Sequence, residues 1–293
     1  MKKVGIYLVA AAALLCSGQQ AFAAYADYIA GTNPVGWWGM NEETGAGATA
    51  DLSGAYGAAN NQAGVNLNET YQNPGVNTLP AQAGFVSGAG NASTYFDGTA
   101  ASNAYAHATG AYSSALPGAI YHYDGGFSVE CWVKTDGIAS VDSERFLGVR
   151  EWALGFEANY GSPNRIHFTT FGKQDYFSTT VFPNDGQWHQ IGVSWDGSTA
   201  SFFIDGVAAG SQAGAVGLTP ASPTSINNQM DLASRASTSS QNFKGWLDEV
   251  VIWNATRDEA AFAASYAAAI PEPATVSLLV LGGLGALLRR RRA

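Results

Sequence analysis

The side chains able to do chemistry in this chain are carboxylates, histidines and tryptophans, and their spacing restricts what that chemistry is. Three acidic pairs are adjacent in sequence: Glu42-Glu43, Asp248-Glu249 and Asp258-Glu259. Neighbours on an extended strand point to opposite faces. None of these pairs therefore supplies the two converging carboxyl groups that hydrolysis of a glycosidic bond requires. An E-x-D-x-(x)-E string, which aims alternate carboxylates into one cleft, is absent, and Asp258-Glu259 reads as the first-turn acids of a helix. His107, His122, His167 and His189 lack the short spacings of a zinc site. No G-x-S-x-G nucleophile elbow occurs. An enzyme would have to use carboxylates dispersed along the chain, and the expectation is that this protein is not one.

Binding chemistry is better supplied. There are eight tryptophans, and sugars stack their C–H faces on rigid, half-exposed aromatic rings. In Gly126–Thr135, Phe127, Val129, Cys131 and Val133 alternate with Glu130, Trp132 and Lys134. Trp152 stands beside Arg150 and Glu151. Glu130, Trp132, Arg150 and Trp152 are the candidate ligand-binding residues, forming one platform if consecutive strands pair. The competing reading for each tryptophan is packing against a second layer or a covering loop. Trp188, Trp195 and Trp253 are expected in the core, and Trp37 and Trp38, being adjacent, must face opposite ways.

Charge narrows the partners. Away from Lys2, Lys3 and Arg289–Arg292, eight basic residues face all 23 acids, a formal balance of −15. Such a body repels phosphate backbones, so nucleic acid is not an expected partner. Cys16 precedes the expected cleavage site described below, which leaves Cys131 as a single buried thiol and no internal disulfide.

The elements that must position these groups are strands. In Gly186–Gly210 two apolar runs, Trp188–Trp195 and Ala200–Ile204, flank Asp196-Gly197, and Val207–Ala209 follows Asp205-Gly206. Asp-Gly between alternating runs marks tight hairpins, because such turns need positive φ. His189, Ile191, Val193 and Trp195 then share one face, against Ala200, Phe202 and Ile204. Further strands are read at Val35–Met40, Thr94–Asp97, Gly126–Thr135, Phe146–Val149, Ala153–Glu157, Arg165–Phe171, near Met230, and at Phe243–Trp253. Asn60–Asn91 reads as one long loop and Thr219–Ser240 as mostly loop. A helix follows, with Thr256 and Glu259 as a capping box and Phe262, Tyr266 and Ile270 as its docking stripe, stopped by Pro271.

Five of these segments, in order, carry a resemblance. Pro34 to Asp51-Leu52-Ser53-Gly54, Phe96-Asp97-Gly98, GFSVECWVKT, the WHQIGVSWDG hairpin and FKGWLDEVVIW are similar to laminin-G-like, concanavalin A-like domains over Tyr25–Ala269. The resemblance implies an all-β, two-sheet antiparallel jelly-roll sandwich with one C-terminal helix docked on it. It also implies non-catalytic carbohydrate binding, with a matrix scaffold or a glycoside hydrolase of dispersed carboxylates as alternatives. His189 matches a position where the family carries a structural histidine. Related domains place calcium near the motifs that hold Asp51, Asp97 and Asp248, so calcium is the cofactor the resemblance suggests, held by those three acids.

Both ends read as targeting segments. Lys2-Lys3, the apolar run Val4–Leu15 and Ala21-Phe22-Ala23 make a secretory signal over residues 1–23, leaving 24–270 as the sandwich. Residues 271–293 hold Pro271-Glu272-Pro273, the apolar run Ala274–Leu288 and Arg289–Arg292. Fifteen residues in a helix rise about 22 Å, short of a ~30 Å hydrocarbon core, so this terminal apolar helix is a single short span. The order of the three features resembles a PEP-CTERM sorting signal. That implies an exosortase-type membrane protease as a partner, a Gram-negative host that makes exopolysaccharide, and transient inner-membrane anchorage before release to the envelope or extracellular matrix. The expected ligand is a polysaccharide or other glycan.

Overall fold

Two tight turns set the register of the middle of the chain. The computed structural model describes residues 25–40, 126–137, 144–149, 152–157, 164–170, 173–214, 230–233 and 241–270, with short strand segments at 48–49, 69–71, 82–83, 92–97 and 106–108. Helix α1 covers residues 25–31. Then come β1 (Gly36–Trp38), β2 (Ala48–Thr49), β3 (Glu69–Tyr71), β4 (Gln82–Ala83), β5 (Ala92–Asp97) and β6 (Ala106–Ala108). The longer strands are β7 (Phe127–Thr135), β8 (Glu144–Val149), β9 (Trp152–Glu157), β10 (Arg165–Thr170) and β11 (Gln174–Val181). After them run β12 (Trp188–Trp195), β13 (Thr199–Ile204), β14 (Val207–Ala213), β15 (Met230–Leu232), β16 (Lys244–Trp253) and helix α2 (Glu259–Ala269).

Between β12 and β13 the Asp196 carboxylate accepts from the amides of Ser198 and Thr199, and Gly197 sits at φ +99°. Between β13 and β14 the two-residue loop is Asp205-Gly206, with φ at +52° and +76°. Positive φ at both central positions makes the primed turn whose twist matches the strands. The registers follow: Ile191 lies opposite Ile204, Val193 opposite Phe202 and Trp195 opposite Ala200.

Two antiparallel sheets result. The first has the order β14-β13-β12-β7-β16-β5-β4, with β1 also paired to β16. The second has the order β11-β10-β9-β8-β15-β6-β3-β2. Their facing sides form the core, where Trp195 meets Phe168 (5.6 Å between ring centroids) and Tyr176 (5.2 Å), and Phe127 meets Phe168 (6.0 Å). Cys131 lies in this core, and burial pushes its thiol pKa up, away from reactivity.

The structure adds β11, which the sequence reading passed over because its eight residues carry Gln, Asp, Ser and three Thr or Val positions rather than a clean apolar alternation. It also places β3 and β4 inside 60–91, correcting the single-loop reading. Strand β11 is an edge, and β14 is the edge of the other sheet. Gln212 joins them, accepting from the Phe177 amide (3.0 Å) and donating to the Asp175 carbonyl (3.4 Å). Its side-chain amide stands where a neighbouring strand's backbone would, which occupies an otherwise open edge.

The outer face of the first sheet carries both helices. Tyr25, Ile29, Trp37, Trp132, Val251, Trp253 and Ala269 form a second buried cluster there. Trp38 points into the main core and Trp37 into this second cluster, the opposition that adjacent strand residues require. Trp253 is thus buried outside the main core, where its indole donates to Thr32 (2.7 Å). Helix α2 is capped by Asp258, whose carboxylate accepts from the Ala261 amide, not by Thr256. The reason is that the Arg257 amide is already held by Ser128 and Ser194, so the helix starts two residues later than a cap at Thr256 would place it. Its buried residues are Phe262, Ser265 and Ala269, while Ile270 is 37% exposed. The docking face is turned from the expected stripe because Ser265 reaches a polar partner in the sheet.

Gly192 makes that docking possible. A Cβ there would lie 2.5 Å from a ring carbon of Phe262, which itself stacks on Phe203 at 4.4 Å. Gly192→Ala should therefore cost roughly 1–3 kcal/mol through overpacking. Urea unfolding would read this as a lowered midpoint with the strand signal in circular dichroism retained; an unchanged midpoint would show that Phe262 is free to move.

Candidate functional site

The outer face of the first sheet has a period-two polar row. Ser128, Ser194, Ser201 and Ser211 lie opposite one another across β7, β12, β13 and β14. The row divides into two halves. Ser128 donates to the Ala255 carbonyl (2.8 Å), and Ser128 and Ser194 accept from the Arg257 amide at 2.8 and 3.1 Å. These two serines clamp the segment leading into α2. Ser201 and Ser211 instead open into a groove of about 540 Å³ between β12–β14 and the start of α2.

Asp196, Asp258 and Glu259 rim this groove. Each spends one oxygen on the fold: Asp196 Oδ1 on the β12–β13 turn, Asp258 Oδ1 on the helix cap, and Glu259 Oε1 on the Ala208 amide at 3.0 Å. The second oxygen of each remains an acceptor. Arg257 turns its guanidinium away, over the Trp253 ring at 4.2 Å and onto the Tyr28 hydroxyl at 2.9 Å. The groove thus offers hydroxyls on its floor and acceptor-only carboxylates on its rim, a match for a ligand rich in hydroxyl donors.

The expected platform is not assembled. Glu130 and Trp132 lie under the helices at 0% exposure. Trp132 stacks on Tyr266 at 5.5 Å, and Glu130 accepts from the hydroxyls of Tyr25 (3.1 Å) and Ser265. Burial raises the Glu130 pKa, opposed by those hydroxyls and the Gln190 amide. Trp152 belongs to β9 in the second sheet, so the chain crosses between sheets after β7 and separates the two tryptophans. Arg150 lies outside the described residues, as does the Trp152 side chain.

Of the three acids suggested for calcium, only the Asp248 side chain falls among the described residues. Asp51 and the Asp97 side chain lie outside the described residues. Asp97 pairs with Lys244, four positions along β16 from Asp248, which is about 13 Å at ~3.3 Å per residue. Asp248 is itself buried opposite Trp132. Among the described residues no group of three or more His, Cys, Asp or Glu side chains is placed to hold a metal. Pro271, Glu272 and Pro273 also lie outside the described residues.

Two histidine clusters are braces. On the outer face of the second sheet Arg145, Gly155, His167 and Phe177 form one row across β8 to β11. With no side chain at Gly155, Arg145 Nη1 reaches His167 Nδ1 at 2.7 Å. That donor makes Nδ1 the acceptor and turns protonated Nε2 toward Asp175 Oδ1, 3.2 Å away. The Asp175 pKa falls to about 2 under His167, with Thr169 and Arg145 assisting against burial. His189, in the other sheet, places Nδ1 2.7 Å from Asp205 Oδ2 and Nε2 3.1 Å from Asp185 Oδ1, tying β12 to the turn after β13.

Burial alone would depress the His189 pKa, but Asp205 and then Asp185 outweigh it and raise the value. The stabilisation it contributes is complete below the ordinary histidine value of about 6.5 and is lost as pH rises through the elevated one. Within roughly pH 5 to 9, melting temperatures should fall more steeply for the native protein than for His189→Gln between about pH 6.5 and the elevated value. Parallel curves would remove the charge from the role of this histidine.

Comparison with known proteins agrees with this architecture. A family model described as the concanavalin A-like lectin/glucanases superfamily matches residues 108–261. The PEP-CTERM protein-sorting motif matches residues 269–292. No curated protein matches the chain. Among solved structures, the binding domain of a paraclostridial mosquitocidal protein is similar at 14% identity and a TM-score of 0.55, over 81% of this chain and 52% of that one. The receptor-binding domain of botulinum neurotoxin type G follows at 15% and 0.51, over 80% and 51%. A Trypanosoma rangeli sialidase with 2,3-difluorosialic acid gives 10% and 0.51, over 80% and 32%. The chain spans about half the length of the two toxin domains and about a third of the sialidase, and at these identities the likeness is one of fold.

Proposed function

The chain belongs to the concanavalin A-like lectin/glucanases superfamily and carries a PEP-CTERM sorting motif, and from that premise we propose that it recognises carbohydrate outside the cell without cleaving it. The motif implies export and sorting to the cell envelope or extracellular space by an exosortase-type protease. The ligand we propose is a polysaccharide, with the cell's own exopolysaccharide as the first to test.

The observation that supports this reading is the groove of about 540 Å³ with Ser201 and Ser211 on its floor and three half-used carboxylates on its rim. Sugar hydroxyls donate to carboxylates, and each such bond contributes roughly 0.5–1.5 kcal/mol net, or more to a charged acceptor. A shallow polar groove binds weakly, at about millimolar to micromolar. The non-catalytic part of the proposal draws on the roles already assigned to these acids, each of which holds backbone in place with one oxygen. The solved sialidase shares the fold alone and brings no reaction to this chain.

Isothermal titration of the purified chain with extracellular polysaccharide should show binding that Ser201→Leu weakens at least about tenfold, since a bulky apolar side chain would fill the groove floor and desolvate the rim. Unfolding midpoints of that variant should stay near the native value. Equal affinity would move the site elsewhere on the sandwich, and release of reducing ends from the polysaccharide would make the protein an enzyme.

A further inference from the structure

Helix α2 runs straight into the sorting motif. The matched motif begins at Ala269, and Ala269 is both the last residue of α2 and 0% exposed in the second buried cluster. Consecutive Cα atoms are ~3.8 Å apart, so Pro271 starts no more than ~8 Å from that buried position. A protease takes its substrate as an extended segment of several residues on a complementary surface. With the last turn of α2 docked, residues up to Ala269 are helical, and Ser265 and Ala269 are buried against the sheet.

The way that turn is held makes it a latch. Ser265 donates to the buried Glu130 carboxylate, Tyr266 stacks on Trp132, and Ala269 packs in the same cluster. Tyr25 of α1 donates to the same Glu130 oxygen, so the start of α1 and the end of α2 share one anchor on β7. Against these contacts stand weak end effects. The C-cap, Ile270, is extended and donates only to Tyr266 at 3.2 Å, and the last turn holds no basic side chain. Pro271 excludes Ile270 from the helix. An isolated helix of this length is marginal without its tertiary contacts. The turn is therefore held by docking, and losing the Ser265–Glu130 hydrogen bond weakens that hold.

We propose that the last turn of α2 is part of the segment the sorting protease must engage, so that residues 265–270 have to undock from Glu130 and Trp132 before the motif is processed. This rests on the sorting reading given above. The folded domain thereby controls release of its own tail, and processing precedes final docking of α2 or waits on its transient opening.

The test is a pulse-chase of the full chain in cells with and without the sorting protease, using Ser265→Ala, an insertion of about eight Gly and Ser residues between Ile270 and Pro271, and both together. The insertion separates motif from body without touching the latch. Ser265→Ala should speed processing roughly fivefold or more, because a buried hydrogen bond that holds the turn is lost. The insertion should speed it as well, and adding Ser265→Ala to the insertion should change nothing further. Hydrogen exchange should show the strands still protected in every variant. Processing that ignores Ser265→Ala, or that quickens equally with and without the insertion, would overturn the latch while leaving sorting intact. Processing that is the same with and without the protease in every form would overturn the sorting reading itself and the latch with it.

Discussion

One carboxylate buried in the middle of a sheet governs how this domain is closed. Glu130 lies on the central strand β7 with no exposure to solvent. Burying an acid costs free energy, and each hydrogen bond it accepts lowers that cost. Here the donors come from both ends of the described chain, Tyr25 in α1 and Ser265 in α2. The outer face of the first sheet could not simply be oily or simply wet. It needed two helices delivering hydroxyls to one point, and Trp37, Trp132, Val251 and Trp253 gather around that point as the apolar wall that keeps water away.

The same strand-by-strand alternation explains why the groove lies where it does. Inward positions of β12 and β13 are filled by Ile191, Val193, Trp195, Ala200, Phe202 and Ile204. Their outward neighbours are free of core duty, and the serines among them form the polar row. The helix covers only part of that row, because Ser128 and Ser194 hold its leading segment at one edge. What the helix leaves uncovered is the groove. At the far edge Gln212 and Thr179 tie β14 to β11, Thr179 donating to the Ala209 carbonyl at 3.0 Å. The sandwich is thereby closed beside the groove rather than left as two exposed edges.

Readable in the residues alone were the two Asp-Gly turns, the alternation of β7, β12 and β13, the membership of the superfamily and the sorting motif. These signals are local: a turn needs positive φ at a stated residue, and a strand shows its period within eight residues. Strand β11 escaped because an edge strand needs little apolar alternation, and its pairing with β10 is what defines it. That neither face of β7 meets water came from tertiary packing alone. Glu130 and Trp132 read as a ligand platform because polar and aromatic residues opposite a core face usually are exposed. The helices that cover them lie 105 and 135 residues away in sequence, measured from Glu130 to Tyr25 and Ser265. Nor does the order of strands reveal that β7 and β9 lie in different sheets, since a connection carries no mark of the layer it enters. The groove was hidden for the same physical reason: serines spaced tens of residues apart become one surface only when their strands pair in register.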